Sequence, residues 1–291
     1  MSLLILFLLM FTVNASAQDR DKPAYRLFTK SGKSISYGKM LKELKEADVV
    51  LFGEQHNDPI AHWLQLELAK DLHQAHPQNF AIGVEMFEAD VQLVLNEYLA
   101  NQAPESNFEQ ESRPWPNYKT DYKPVLRYAR EKGIPVIATN VPRRYAAMVS
   151  AGSLSALGGV SEDAKKYIAP LPIAVDLNLQ GYKRMMGMFG SNMHGNTKSE
   201  NIVQAQALKD ATMAHFILQQ VNQGKQLLHL NGAYHSDNFE GIGWYLKQEQ
   251  PQLKTLTLTT VLQEDLDNLS KENKEKADFI IVVPASMTRT Y

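Results

Sequence analysis

Two histidines on matching short motifs are the residues in this chain best placed to do chemistry. They are His56 in Gly53-Glu54-Gln55-His56 and His235 in Gly232-Ala233-Tyr234-His235. Each motif follows an apolar run, residues 48–52 and 226–231, that reads as a buried strand. A glycine there permits a tight turn. The polar side chains that follow fall at the carboxyl edge of a sheet, where α/β proteins bind ligands. After the first motif, Asp58 can cap a helix and Pro59 suits its first turn, so Glu54 and His56 sit between a strand and a helix start. One Gly-x-x-His constrains only two positions, and either histidine alone could be a pocket-wall residue beside a turn. The pair, in one structural context, points to a shared site.

Glu85 lies inside a third apolar run, residues 80–87. A carboxylate there is costly to bury unless it is paired or binds a cation. It is either an ion-pair partner of Arg143 or Arg144, or a site residue. Asn140 ends a fourth run, residues 134–140. If the strand order is favourable, His56, Glu85 and His235 converge, with Glu54 and Asn140 nearby. Two imidazoles and a carboxylate suit zinc, manganese or iron with open positions, able to activate water. Without metal, Glu54, His56, Glu85 and His235 could still act by general acid–base catalysis. No Gly-x-Ser-x-Gly, Gly-x-Gly-x-x-Gly or P-loop motif occurs, which argues against serine hydrolases, dinucleotide enzymes and NTPases.

The elements that must position these residues are those of a globular α/β domain. Hydrophobic residues make up 44% and charged residues 21% of the chain, enough for a sizeable core. A net charge of −2 offers no electrostatic case for nucleic acid. The absence of cysteine removes disulfides, thiolate metal sites and a lipoprotein anchor. Residues 1–17 read as a signal peptide: an apolar run at 3–13, then Ala15-Ser16-Ala17 before a mature start at Gln18. Export to a bacterial periplasm is expected, with no membrane span after cleavage; the bland alternative is an uncleaved anchor.

Beyond Gln18 the expectation is a small hairpin at 25–37 and strands at 48–52, 80–87, 134–140, 226–231, 253–261 and 278–283. Helices are expected at 39–47, 60–72, 90–100, 123–132, 200–221 and 239–249. Strands alternating with helices imply a mainly parallel sheet flanked by helices, in one domain over 18–291. Residues 101–122 read as a long loop packed down by Trp115. Residues 143–223 read as a helical insertion, a lid. Within it, 182–194 carries four methionines with Tyr182 and His194, either a flexible ligand pocket or core filler.

Taken together, several stretches resemble the ChaN-like family of haem-binding uptake proteins in the Tiki superfamily. They are Leu51-Phe-Gly-Glu-Gln-His-Asn-Asp58, Gly83-Val-Glu-Met-Phe87, Ile137-Ala-Thr-Asn-Val-Pro-Arg143, Gln206 with Asp210-Ala-Thr-Met-Ala214, and Gly232-Ala-Tyr-His235 with Gly241-Ile-Gly243. The resemblance runs from about residue 47 to 284. It implies an α/β fold with a helical subdomain, export, and haem bound at a homodimer interface through a tyrosine oxygen. The stretch 236–243, where that tyrosine is expected, holds Phe239 instead. Tyr234, Tyr245 and Tyr182 are the remaining candidates, with His194 beside them and Arg143 and Arg144 able to meet propionates. Other members of the superfamily, the Tiki proteases and erythromycin esterases, use Gly-x-x-His and a glutamate for hydrolysis, some with a metal. Two expectations follow: an exported haem-binding protein of iron uptake, or a metal-dependent hydrolase or peptidase using His56, Glu85 and His235.

Overall fold

The apolar runs become strands buried on both faces, as a parallel sheet covered by helices requires. In the computed structural model, which describes residues 21–189 and 199–291, the strands are β1 (Arg26–Thr29), β2 (Val49–Glu54), β3 (Phe80–Glu88), β4 (Val136–Asn140), β5 (Gln226–Gly232), β6 (Thr255–Gln263) and β7 (Phe279–Pro284). They form one sheet in the order β1-β7-β6-β2-β5-β3-β4. Every pairing is parallel except that of β1 with β7. The small hairpin expected at 25–37 forms around the Ser31-Gly32 turn, with an antiparallel bridge of Phe28 to Ser34 and N–H bonds from Thr29 to the Lys33 carbonyl at 2.8 Å and from Ile35 to the Leu27 carbonyl at 2.9 Å. Its second arm is short because helix α1 (Tyr37–Leu44) starts at once, and its first arm also pairs with the last strand.

Helices α2 (Pro59–Ala75), α3 (Gln92–Leu99), α4 (Glu105–Glu111) and α5 (Lys123–Lys132) follow β2 and β3. Helices α6 (Arg143–Gly152), α7 (Glu162–Lys165), α8 (Gln180–Phe189) and α9 (Ser199–Val221) lie between β4 and β5, and α10 (Ile242–Glu249) follows β5. Side chains alternate across each strand. Val50 and Phe52 of β2 join a core with Leu64 and Leu68 of α2, whereas Val49 and Leu51 pack with Met213 and Ile217 of α9 and Leu246 of α10. The stretch 143–223 is helical, but α9 covers the sheet face as a crossover helix and is no detached lid. Smaller clusters of α6 with α9, and of Tyr182 and Met185 with Val203 and Ala207, hold the rest of the stretch to α9.

The expected long loop at 101–122 is corrected, since it contains α4 and a five-residue π-helix, Tyr118–Tyr122. Phe108 of α4 is fully buried between Tyr98 and Phe87, which is what folds this polar stretch onto the domain. Among the described residues, no helix is long and apolar enough to cross a membrane.

The chain moves outward from β2 to β3 and β4, returns to insert β5 between β2 and β3, then continues to β6 on the other side. The carboxyl ends of β2, β5 and β3 are therefore neighbours where the winding direction reverses, and a crevice opens at such a point.

Candidate functional site

Strand register sets the site. Glu54 pairs with Gly232, and the alternation that points Val50 and Phe52 toward α2 points Glu54 the same way. There Glu54 is buried and accepts hydrogen bonds from Gln65 Nε2 at 2.5 Å and from the Tyr122 hydroxyl. His56 turns back over it, with Nδ1 2.9 Å from Glu54 Oε1. His62 lies behind the pair, 3.0 Å from the His56 carbonyl and 3.0 Å from Gln65 Oε1. Asn117 donates to the same carbonyl at 2.6 Å, and the Trp115 ring stands edge-on to the His56 ring at 4.6 Å. Trp115 thus packs its segment down, as expected, and does so on His56. Burial alone would raise the Glu54 pKa, but His56 and His62 bring it below the ordinary value. Burial opposes charge on His56 too, yet the bond to Glu54 and the nearby Glu85 leave its pKa raised.

Glu85 points to the other face, toward α9. Its Oε2 accepts the Gly232 N–H at 2.7 Å, and its Oε1 lies 3.2 Å from His235 Nε2. Asp210 of α9 takes the opposite ring nitrogen, with Nδ1 of His235 2.5 Å from its Oδ1, while the Tyr182 hydroxyl donates to Oδ2 at 2.8 Å. The Gln206 amide also lies 3.0 Å from His235 Nδ1. Burial disfavours the imidazolium, but the two carboxylates overcome this and raise His235 to about 10. Burial would likewise raise Glu85, and His235 reverses it, so Glu85 stays ionised. Burial pushes Asp210 upward against the pull of His235. We read the trio as a cation between two carboxylates, because both ring nitrogens face an acid oxygen.

Gly232 joins the halves. A Cβ on it would lie 2.7 Å from His56 Cε1 and 3.6 Å from Glu85 Oε2, so the missing side chain is what lets His56 and Glu85 approach. Beneath, His229 is fully buried, with Nε2 2.8 Å from Thr139 Oγ1 and Nδ1 3.0 Å from Asn231 Oδ1. Burial lowers it to about 4, so it is neutral, and Asn231 Nδ2 braces the turn through the Gly232 carbonyl and Ser236 Oγ, both at 3.0 Å.

The structure therefore brings together Glu54, His56, Glu85 and His235, with Asn140 donating to the Glu85 carbonyl at 3.1 Å. It does not arrange them as a metal cage. Among the described residues, no group of three or more His, Cys, Asp or Glu side chains is placed to hold an ion. The reason lies in His235, whose two nitrogens are both turned to carboxylates and leave no lone pair for a metal. Arg143 and Arg144 do not pair with Glu85; they meet Glu88 and Asp90. Of the tyrosines, Tyr182 is buried on Asp210, and Tyr245 is buried with its hydroxyl donating to the Ala174 carbonyl at 2.7 Å. Tyr234 is 38% exposed and donates to the Gly181 carbonyl at 2.5 Å. His194 lies outside the described residues.

Asp210, Tyr122, Gln65 and His62 carry much of the site and were not singled out from the sequence as its parts. Gln206 and Asp210 had a signal: polar residues four apart on the buried stripe of α9. His62 and Gln65 likewise interrupt the buried face of α2. Tyr122 had none, because its position depends on the π-helix.

Among known proteins, this chain is 26% identical over 271 residues to Protein RETICULATA-RELATED 5, chloroplastic, of Arabidopsis thaliana. The match covers 86% of this chain but 36% of that protein, so the chain spans about a third of that relative's length. Among solved structures, that of cofacial heme binding to ChaN of Campylobacter jejuni superposes with a TM-score of 0.67 at 18% identity, covering 89% of this chain and 96% of that one. An erythromycin esterase mutant, EreC, in its open conformation gives a TM-score of 0.50 at 15% identity, over 89% and 97% of the two chains. At these identities the likeness is one of fold. The family described as haem-binding uptake, Tiki superfamily, ChaN matches residues 40–246, most of the chain, and to that family the chain belongs.

Proposed function

We propose that this chain is an exported haem-binding protein serving haem-iron uptake, with Tyr234 as the residue that meets the iron. Family membership motivates the reading, and the contrast among the three tyrosines carries it. The Tyr182 and Tyr245 hydroxyls are locked inside, whereas Tyr234 is part-exposed and held by a single backbone carbonyl. Burial raises the Tyr234 pKa, which disfavours the phenolate, and the charge of Arg184 offsets that rise only in part. Haem, when bound, would supply a ferric centre with affinity for oxygen ligands, and Tyr234 would hold it. The Gly181 carbonyl orients the phenol, and the bond of Glu240 to the Gly181 N–H at 2.7 Å anchors that helix start. Cleavage after Ala17, in residues outside those described, would deliver the mature chain to the periplasm, and a homodimer would place two such faces together.

The test is the absorption spectrum of the mature chain titrated with haemin. A high-spin, tyrosinate-type spectrum lost in Tyr234→Phe is expected. A low-spin spectrum that survives Tyr234→Phe would overturn the assignment. N-terminal sequencing of exported protein should begin at Gln18; a chain retaining Met1 in the membrane fraction would refute export with cleavage.

A second reading, hydrolysis, is favoured by the histidine pair itself. Glu54 fixes Nδ1 of His56 as donor, and among the described residues Nε2 of His56 has no hydrogen-bond partner. That is the arrangement of a carboxylate-oriented general base. His235, held cationic opposite, would stabilise negative charge developing on a carbonyl oxygen. With the His56 pKa raised, the base form dominates only above its ordinary 6.5, so ester hydrolysis should climb with pH through that range and vanish in His56→Ala. A flat pH profile, or activity retained in His56→Ala, would dismiss it.

A further inference from the structure

Three arginines converge outside the histidine site, at a cost that ion pairing alone does not explain. Glu88 ends β3 and Asp90 follows it. Arg113 reaches both, with Nη2 3.1 Å from Glu88 Oε2. Arg143 pairs with Glu88, and Arg144 lies 2.5 Å from Asp90 with its guanidinium 4.5 Å over the Tyr145 ring. The carboxylates lie beneath, their side chains 9% and 12% exposed, and the arginines lie above, 42%, 68% and 49% exposed for Arg113, Arg143 and Arg144. Three cations on two anions leave one positive charge, and it faces solvent.

Two local features work against this arrangement. Arg143 and Arg144 occupy the first turn of α6, where the helix dipole disfavours cations, a cost the Glu88 carboxylate offsets in part by accepting the Arg143 N–H at 3.2 Å. Arg113 adopts a φ of 53°, in the left-handed region that a long side chain rarely enters. Unfavourable backbone and dipole placements held together at one spot are the pattern of a binding site.

We propose that Arg113, Arg143 and Arg144 form an oxyanion-binding subsite that takes a carboxylate or phosphate group of the ligand. Planar guanidinium forks suit such groups in a way ammonium does not. Glu88 lies three residues beyond Glu85 on one strand, so their backbone positions are about 10 Å apart at 3.3 Å per residue. An anion seated here would direct the rest of a small ligand toward His56 and His235. The buried acids tie the guanidinium groups in place and also compete with the ligand.

The experiment is calorimetric titration of the mature chain, in low salt, with inorganic phosphate and separately with succinate. Saturable binding of at least one is expected, and the tighter of the two assigns the group. Arg143→Lys and Arg144→Lys keep the charge that Glu88 and Asp90 need but lose the fork, and should each weaken binding about tenfold. Asp90→Asn removes a competing anion and should tighten binding. No saturable binding of either anion, or affinities unchanged in both lysine variants, would overturn the proposal. Should a lysine variant fail to fold, Asp90→Asn decides alone, and an unchanged affinity there refutes it. Neither probe contains iron, so failure of the haem reading leaves this test intact.

Discussion

Glu85→Gln probes the charge balance on which the candidate site stands. Glutamine preserves the shape of Glu85 and can still accept the Gly232 N–H, but it removes one of the two counterions of His235. The rise of His235 from 6.5 to about 10 corresponds to ~5 kcal/mol at 1.36 kcal/mol per tenfold change. Asp210 is the nearer partner, 2.5 Å against 3.2 Å, but the charge of Glu85 is the larger influence raising His235, so about half belongs to Glu85 and the expected loss at pH 6 is ~2 kcal/mol. The sign follows from linkage. A histidine whose folded pKa is raised contributes fully below its unfolded value of 6.5, and the contribution disappears as pH rises through about 10. In Glu85→Gln the folded pKa of His235 drops, so its contribution disappears earlier. The cost of the substitution should therefore hold steady near neutrality and shrink toward nothing by about pH 10. Paired urea denaturation curves of wild type and variant between pH 6 and pH 10 measure this. A cost independent of pH, or one below ~0.5 kcal/mol at pH 6, would refute the cationic His235.

The two motif glycines should respond differently to alanine. A Cβ at Gly53 meets backbone, the Ala233 Cα at 2.9 Å and the Leu258 carbonyl at 3.1 Å, and Gly53→Ala should cost ~2–3 kcal/mol in chemical denaturation. At Gly232 the obstacle is the movable His56 ring, so Gly232→Ala should cost ~1 kcal/mol and shift the His56 imidazole resonances; equal costs would mean His56 cannot yield. Arg289→Gln strips the fully buried Asp58, the cap of α2, of its guanidinium and should cost ~3 kcal/mol; a loss under ~1 kcal/mol would mean that Asp58 is solvated on removal of its partner.

The parallel sheet was legible because its strands are apolar runs broken by turn residues, and the convergence of His56, Glu85 and His235 followed from one assumption about strand order. That assumption holds because β5 returns between β2 and β3. What stayed hidden was how each histidine is held. The anchor of His56 is a neighbour in sequence, Glu54, but that of His235 is Asp210, twenty-five residues away on a helix whose face toward the sheet looks apolar. A carboxylate on a helix declares a partner only when packing supplies one. Residues 101–122 misled for a related reason. Prolines and polar residues read as loop, yet Phe108 and Tyr118 find an aromatic cluster that periodicity within the segment does not reveal. The metal expectation counted donor types, whereas the donors' commitments to each other decide whether a lone pair is free.

The two Gly-x-x-His motifs are alike in sequence and opposite in physics. Both end neighbouring strands, and because register pairs Glu54 with Gly232, their side chains leave the sheet on different faces. In the first, the carboxylate lies within the motif and on the α2 side, and the histidine swings out over the edge with its Nε2 toward Gly232. In the second, the carboxylates come from β3 and α9, and the histidine is sealed between them. One imidazole is thus part-exposed and able to exchange a proton; the other is a fixed positive charge. Glu85 is common to both environments, raising His56 through its charge and holding His235 by contact. A repeated motif read as two equivalent metal ligands is better read as a part-exposed imidazole and a buried cation that share one acid.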